Sequence, residues 1–200
     1  AHFRGMFAFA IWDAGRERLL LARDRFGKKP LYIYQDGDAL LFASEIKSIL
    51  QYQAYVPQVD TDAVWDYLAY RYVPGPQTLF RNIRKLAPGG CAVWEKGSVR
   101  EWSWYRPPDC EVRTPVPALA DPVGSFLGKL DEAVSIRMIS DVPFGAFLSG
   151  GIDSSAVVGL MSRHSDHPVK TFSVGFAESE YSELCYARTI ADQFGTEHHE

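Results

Sequence analysis

The residues best placed to do chemistry lie together at Ser149-Gly150-Gly151-Ile152-Asp153-Ser154-Ser155. An apolar run, Phe144 to Leu148, leads into them, and a helical pattern starts near Asp153. Strand, glycine turn and helix in that order are what an anion-binding loop requires. Glycines reach backbone conformations closed to other residues and let a ligand approach closely. Successive N–H groups can then point at one anion, and the helix start adds unpaired donors and the positive end of its dipole. Ser149, Ser154 and Ser155 add hydroxyls. Asp153 stands apart, because a carboxylate repels a phosphate unless a cation lies between them. Mg²⁺ takes oxygen ligands from both, which makes Asp153 the candidate metal ligand. The plainer alternative is that Asp153 caps the helix and the glycines form an ordinary turn.

The elements around this loop alternate. Val123, Phe126, Leu127, Leu130, Val134 and Met138 share one helical face. The Phe144–Leu148 strand follows, then a helix from Ser154 to Arg163 with Val157, Leu160 and Met161 inward. Val169 to Val174 is a strand, Ser182 to Phe194 a helix stopped by Gly195, and Thr196 to Glu200 the start of another strand. Such alternation predicts a parallel, doubly wound sheet, whose ligands sit at the carboxyl ends of the strands.

The first half reads differently. Gly5 to Trp12 is apolar throughout and predicts a strand buried on both faces. Strands follow at Arg18–Ala22, Leu31–Tyr34 and Ala39–Ala43, the last two joined by a turn at Gln35-Asp36-Gly37-Asp38. Ser44 is the expected cap of a short helix, and Thr61 to Tyr70 is a longer one with Val64, Tyr67 and Leu68 on one face. Cys91–Trp94 and Val99–Trp104 form a final strand pair. Residues 107–122 carry five of the twelve prolines and read as a linker between residues 1–106 and 123–200.

Composition excludes several classes. Hydrophobic residues make up 46% and charged residues 23%, and 25 acidic against 21 basic residues leave a net charge of −4. The basic residues are scattered, which argues against nucleic-acid or anionic-membrane partners. The small cluster Arg81, Arg84 and Lys85 reads as a solvated face. No apolar run approaches the ~20 residues that span a bilayer. The three cysteines lack metal-site spacing and read as reduced thiols of a cytoplasmic protein. A first residue other than Met, and an end at His198-His199-Glu200 where a strand begins, give the chain the look of a fragment. Asp24 and Arg25 read as a structural ion pair, His198 and His199 as a strand end with one exposed ring, and Trp94, Trp102, Trp104 and Tyr105 as inter-domain packing.

The loop lacks the Gly-Lys-Ser/Thr of a Walker P-loop and the Gly-x-Gly-x-x-Gly of a Rossmann turn. Ser-Gly-Gly-x-Asp-Ser resembles the signature of the ATP pyrophosphatases. Ser140 to Ser155, Thr171 to Phe176 and Gly195 to Glu200 resemble the asparagine synthetase version of it. Gly5–Asp13, Ala22–Tyr32 and Phe42–Lys47 resemble the later strands of the glutaminase domain in the same family.

The resemblance implies α+β followed by α/β: the C-terminal half of an N-terminal-nucleophile (Ntn) glutaminase domain, then the start of an ATP-pyrophosphatase domain of adenine nucleotide alpha hydrolase type. It implies ATP and Mg²⁺ as cofactors, aspartate and glutamine as substrates, and Leu148, Ser149, Gly150, Gly151, Asp153, Ser154 and Ser155 at the phosphates. Val174 matches the valine that contacts adenosine. A homodimer is left open.

The family's glutaminase nucleophile is a Cys at the mature N-terminus, where this sequence has Ala1, and Cys91, Cys110 and Cys185 stand in other contexts. The chain alone is therefore expected not to hydrolyse glutamine. Two alternatives stand beside the asparagine synthetase reading. One is a related amidotransferase or β-lactam-synthetase-like enzyme with another acceptor. The other is a catalytically inactive ATP-binding module.

Overall fold

The computed structural model describes residues 3–108, 119–178 and 182–200. The chain forms two compact units, Ala1–Thr114 and Pro115–Glu200. Residues 109–118, the middle of the proline-rich stretch with Cys110, lie outside the described residues.

The first unit contains two antiparallel sheets. One has the order β1 (Ala8–Asp13), β2 (Arg18–Arg23), β6 (Gly90–Glu95), β7 (Ser98–Ser103). The other has the order β4 (Ala39–Ala43), β3 (Tyr32–Asp36), β5 (Ile83–Lys85). Both contribute to one core, in which Leu19 and Leu21 of β2 and Ala92 of β6 meet Leu31, Ile33 and Leu86. Strand alternation sends the next residue, Tyr34, to the opposite face of β3, where it joins Ile49, Tyr55 and Ile83.

Burial on both faces therefore belongs to β3 and not to β1, contrary to the sequence pattern. β1 is an edge strand with β2 as its neighbour, and Ile11 and Trp12 are about half exposed. The helices α1 (Ile46–Ile49) and α2 (Thr61–Tyr70) follow β4. Ser44 does not cap α1: Glu45 holds that position and makes no side-chain cap bond. Asp60 caps α2, accepting from the Asp62 and Ala63 amides at 3.1 and 3.3 Å. The Tyr67–Leu68 face of α2 is exposed, and Ala63 is its buried residue.

The other polar expectations for this unit also need correction. Asp24 does not pair with Arg25. It is buried, and four backbone amides donate to it. The Arg25 guanidinium instead lies 5.5 Å from the ring centres of both Trp104 and Tyr105. Trp104 also stacks on Phe7, and Trp94 packs against Trp12, contacts that lie within the first unit. Of the basic cluster, Arg84 pairs with Glu101, and Lys85 donates to the Val73 carbonyl at 2.6 Å; both are half-buried.

The second unit contains a parallel sheet of order β10 (Glu197–His199), β9 (Lys170–Phe172), β8 (Ala146–Phe147). Helix α3 (Pro122–Ser135) starts with Asp121 accepting from the Gly124 amide at 2.8 Å and with proline in its first turn. Helix α4 (Ile152–Arg163) lies between two core clusters. Leu160 and Met161 meet Val134 of α3, while Val158 meets Leu148 and Ala187 and Ala191 of α5 (Leu184–Phe194). Only the C-terminal half of the α3 stripe is covered, since Val123, Phe126 and Leu127 are exposed. Gly195 ends α5 in the left-handed conformation. No helix among the described residues is long and apolar enough to cross a membrane.

Candidate functional site

The Ser149–Ser155 loop leaves β8 at its carboxyl end. Leu148 anchors it: its N–H donates to the Phe172 carbonyl at 2.9 Å, and its carbonyl accepts from the Ser173 hydroxyl. The Leu148 side chain is 2% exposed and belongs to the core, so this residue can offer a ligand only its backbone. Ser149 then folds back on the helix. Its N–H donates to Ser154 Oγ at 3.3 Å, the two hydroxyls lie 2.9 Å apart, and its Oγ accepts from the Gly151 N–H at 3.3 Å.

Gly150 has φ +80°, and a β-carbon there would lie 2.5 Å from Tyr186 Cβ and 2.7 Å from the Ala187 nitrogen. The loop thus crosses the first turn of α5 at backbone contact, and both conformation and space require glycine.

Gly151 occupies the N-cap position of α4 without a side-chain cap bond. Its carbonyl accepts the Ser155 N–H at 3.0 Å, the first bond to close the helix. The Ser155 and Ser154 hydroxyls also donate to it, at 2.7 and 3.2 Å. The amides of Ile152, Asp153 and Ser154 have no carbonyl one turn back and form the donor-rich end of the helix. Asp153 sits in this first turn, exposed, and nothing among the described residues pairs with its carboxylate. It is not a cap. Loop and helix therefore leave three amides without a backbone acceptor beside one exposed, unpaired carboxylate, while the three serine hydroxyls are spent on holding the turn.

A cavity of about 220 Å³ opens beside the loop. Phe147, Phe172 and Val174 give it apolar walls, and Leu148, Ser149 and Glu183 also line it. It is smaller than the ~300–1,000 Å³ of a complete small-molecule pocket, a size that suits part of a nucleotide. Val174 is 72% exposed and shares the cavity with Ser149, so the structure brings the two sequence-selected regions together. The sequence reading did not single out Ser173 and Glu183. Ser173 directly follows β9, where a hydroxyl just past a parallel strand was the available signal, whereas Glu183 is the N-cap residue of α5 and carried no such signal.

Among the described residues no group of three or more His, Cys, Asp and Glu is arranged for a metal ion. One exposed carboxylate suits Mg²⁺, which is bound by one or two carboxylates together with substrate phosphates. In the first unit, Cys91 lines an apolar cavity of about 190 Å³ with Phe7, Phe9 and Trp104. Burial pushes its thiol pKa up, away from the thiolate a nucleophile needs.

Comparison with known proteins defines the class first. Residues 1–105 match the glutamine amidotransferase domain family, to which the chain belongs, and residues 125–200 match the asparagine synthase family. Among individual relatives, asparagine synthetase (glutamine-hydrolyzing) 1 of Bacillus subtilis is 38% identical over 97% of the chain and 30% of its own length. Asparagine synthetase (glutamine-hydrolyzing) 3 of the same organism is 30% identical over 99% of the chain and 34% of its own length. The amidase chyE of Penicillium rubens is 32% identical over the full chain and 31% of its own length. The chain thus spans about a third of the length of these curated relatives.

Proposed function

We propose that this chain belongs to an enzyme that makes asparagine from aspartate, ATP and glutamine-derived ammonia, and that Ser149–Ser155 is its triphosphate site. One observation carries the reading: three helix-start amides without a backbone acceptor and the unpaired Asp153 carboxylate lie where a parallel strand ends. On this reading residues 123–200 begin a doubly wound ATP-pyrophosphatase domain, residues 1–106 are part of an Ntn glutaminase domain, and residues 107–122 link them.

The loop amides bind phosphate oxygens, and Gly150 allows their close approach. Asp153 holds Mg²⁺, which offsets charge on the phosphates. Val174 and the apolar wall receive the adenosine. With the nucleotide so held, a side-chain carboxylate oxygen of aspartate attacks the α-phosphorus. The bond from that phosphorus to the bridging oxygen breaks, and pyrophosphate leaves. Ammonia then attacks the acyl carbon of the β-aspartyl-adenylate, expels AMP and loses a proton. Catalysis of the first step is positioning and charge compensation, for which backbone donors are suited.

Calorimetric titration of the chain with a hydrolysis-resistant ATP analogue tests the site. Binding that needs Mg²⁺ and is lost in Asp153→Ala is expected, and absence of binding overturns the reading. For the intact enzyme, aspartate, glutamine, ATP and Mg²⁺ should yield asparagine, AMP and pyrophosphate together. A second reading keeps the activation chemistry and changes the acceptor. It is favoured by the likeness to the amidase chyE, and AMP release that depends on a carboxylic acid other than aspartate would establish it.

A further inference from the structure

Glu183 lines the cavity beside the Ser149 loop. Two glycine contacts fix its place. Gly150 abuts Tyr186 and Ala187, and Gly175 abuts Leu184, where a β-carbon would lie 2.4 Å from Leu184 Cδ1. Both contacts press the start of α5 against the carboxyl ends of β8 and β9. Glu183 is the N-cap residue of that helix, and its own carbonyl accepts the Tyr186 and Ala187 amides, each at 3.1 Å. Glu183 is exposed, and nothing among the described residues pairs with its carboxylate.

A carboxylate only accepts hydrogen bonds. It repels phosphate, so a bound nucleotide turns a neutral donor towards it. The phosphates belong to the loop amides. The next donors along a nucleotide are the ribose hydroxyls, and Glu183 stands less than one helical turn from the Gly150 contact. Resting on the triphosphate reading above, we propose that Glu183 accepts the ribose 2′- and 3′-hydroxyls and sets the nucleotide's position along the cavity.

The test is a titration of the full chain with Mg·ATP, with its 2′,3′-dideoxy form and with Mg·ITP, in wild type, Glu183→Ala and Glu183→Gln. Circular dichroism of each variant should be unchanged. Hydrogen bonds to a charged group imply that Glu183→Ala weakens ATP by about tenfold or more. The wild type should lose as much on the dideoxy form, and the two changes together should cost no more than either alone. Equal weakening of ATP and the dideoxy form by Glu183→Ala, or no weakening of either, overturns the assignment. A substitution that changes only discrimination between ATP and ITP also overturns it, because the residue then reads the base. If the wild type binds none of the nucleotides, the triphosphate reading itself falls and takes this inference with it.

Discussion

Two loops in this molecule use the same backbone device to opposite ends. After β2, residues Phe26 to Lys29 curl around Asp24, with Gly27 in the left-handed region at φ +62°. The amides of Phe7, Phe26, Lys28 and Lys29 converge on one carboxylate at 3.0 to 3.3 Å. After β8, Gly150 takes φ +80°, and the amides of Ile152, Asp153 and Ser154 have no carbonyl one turn back to donate to. The first nest encloses an acid that the chain supplies and that is 2% exposed. The second leaves its donors open, and its own acid, Asp153, stays in solvent. Gathered amides are structural where the sequence provides the anion; where it does not, they stay open, and the proposed triphosphate site rests on that.

Replacing the enclosed anion should have the largest effect. Asp24→Ala leaves four inward amides without an acceptor, and a loss on the order of 3–5 kcal/mol is expected in urea denaturation of the chain. The pH dependence follows from the same bonds. Burial alone would raise the Asp24 pKa, but the four amide bonds outweigh it and hold the carboxyl below its ordinary range. A group depressed in the folded state contributes fully above its unfolded pKa. Stability from Asp24 should therefore be intact at neutral pH and fall as pH drops through the depressed value. A urea midpoint insensitive to acid in Asp24→Asn, beside a sensitive wild type, would assign the effect to this residue.

Gly150→Ala comes next. It forces a side chain into φ +80° and onto Tyr186 and Ala187, which should cost about 2–3 kcal/mol and shift α5. Nucleotide affinity should fall with it, whereas Gly27→Ala should lower stability and spare that affinity. Equal effects of the two on binding would erase the distinction between the loops.

Ser173→Ala removes the hydroxyl that holds the Leu148 carbonyl and should cost about 1 kcal/mol, seen as a lower denaturation midpoint. Asp153→Ala should change stability by no more than ~0.5 kcal/mol, yet remove the Mg²⁺-dependent part of nucleotide binding. A large destabilisation would make Asp153 a structural acid like Asp24.

Much of this arrangement was legible in the residues. The Ser-Gly-Gly-x-Asp-Ser-Ser order named the loop, and an Asp60 or Asp121 before an apolar stripe marks a helix start by local hydrogen bonding alone. The 61–70 helix keeps the bounds its pattern set. What failed were judgements about neighbours. An unbroken apolar run at β1 looks the same whether the strand lies centrally or at an edge, and the order β1-β2-β6-β7 put it at the edge. Asp24 beside Arg25 looks like an ion pair, because sequence adjacency says nothing of the amides that converge from Phe7 and from Phe26 to Lys29.

By itself, then, the sequence determined most of the segments that form helices and strands, though not β5 (Ile83–Lys85), and where glycine is required and which family the chain joins, because these rest on short-range conformational preference and on residue identity. Only the tertiary structure decided that the serine hydroxyls are consumed within the turn, that Ser173 clamps Leu148, and that Glu183 reaches the cavity. Those facts depend on which backbones approach closely in space. The contacts of Gly150 with Tyr186 and of Gly175 with Leu184 bring together residues 36 and 9 positions apart, and no local pattern specifies that approach.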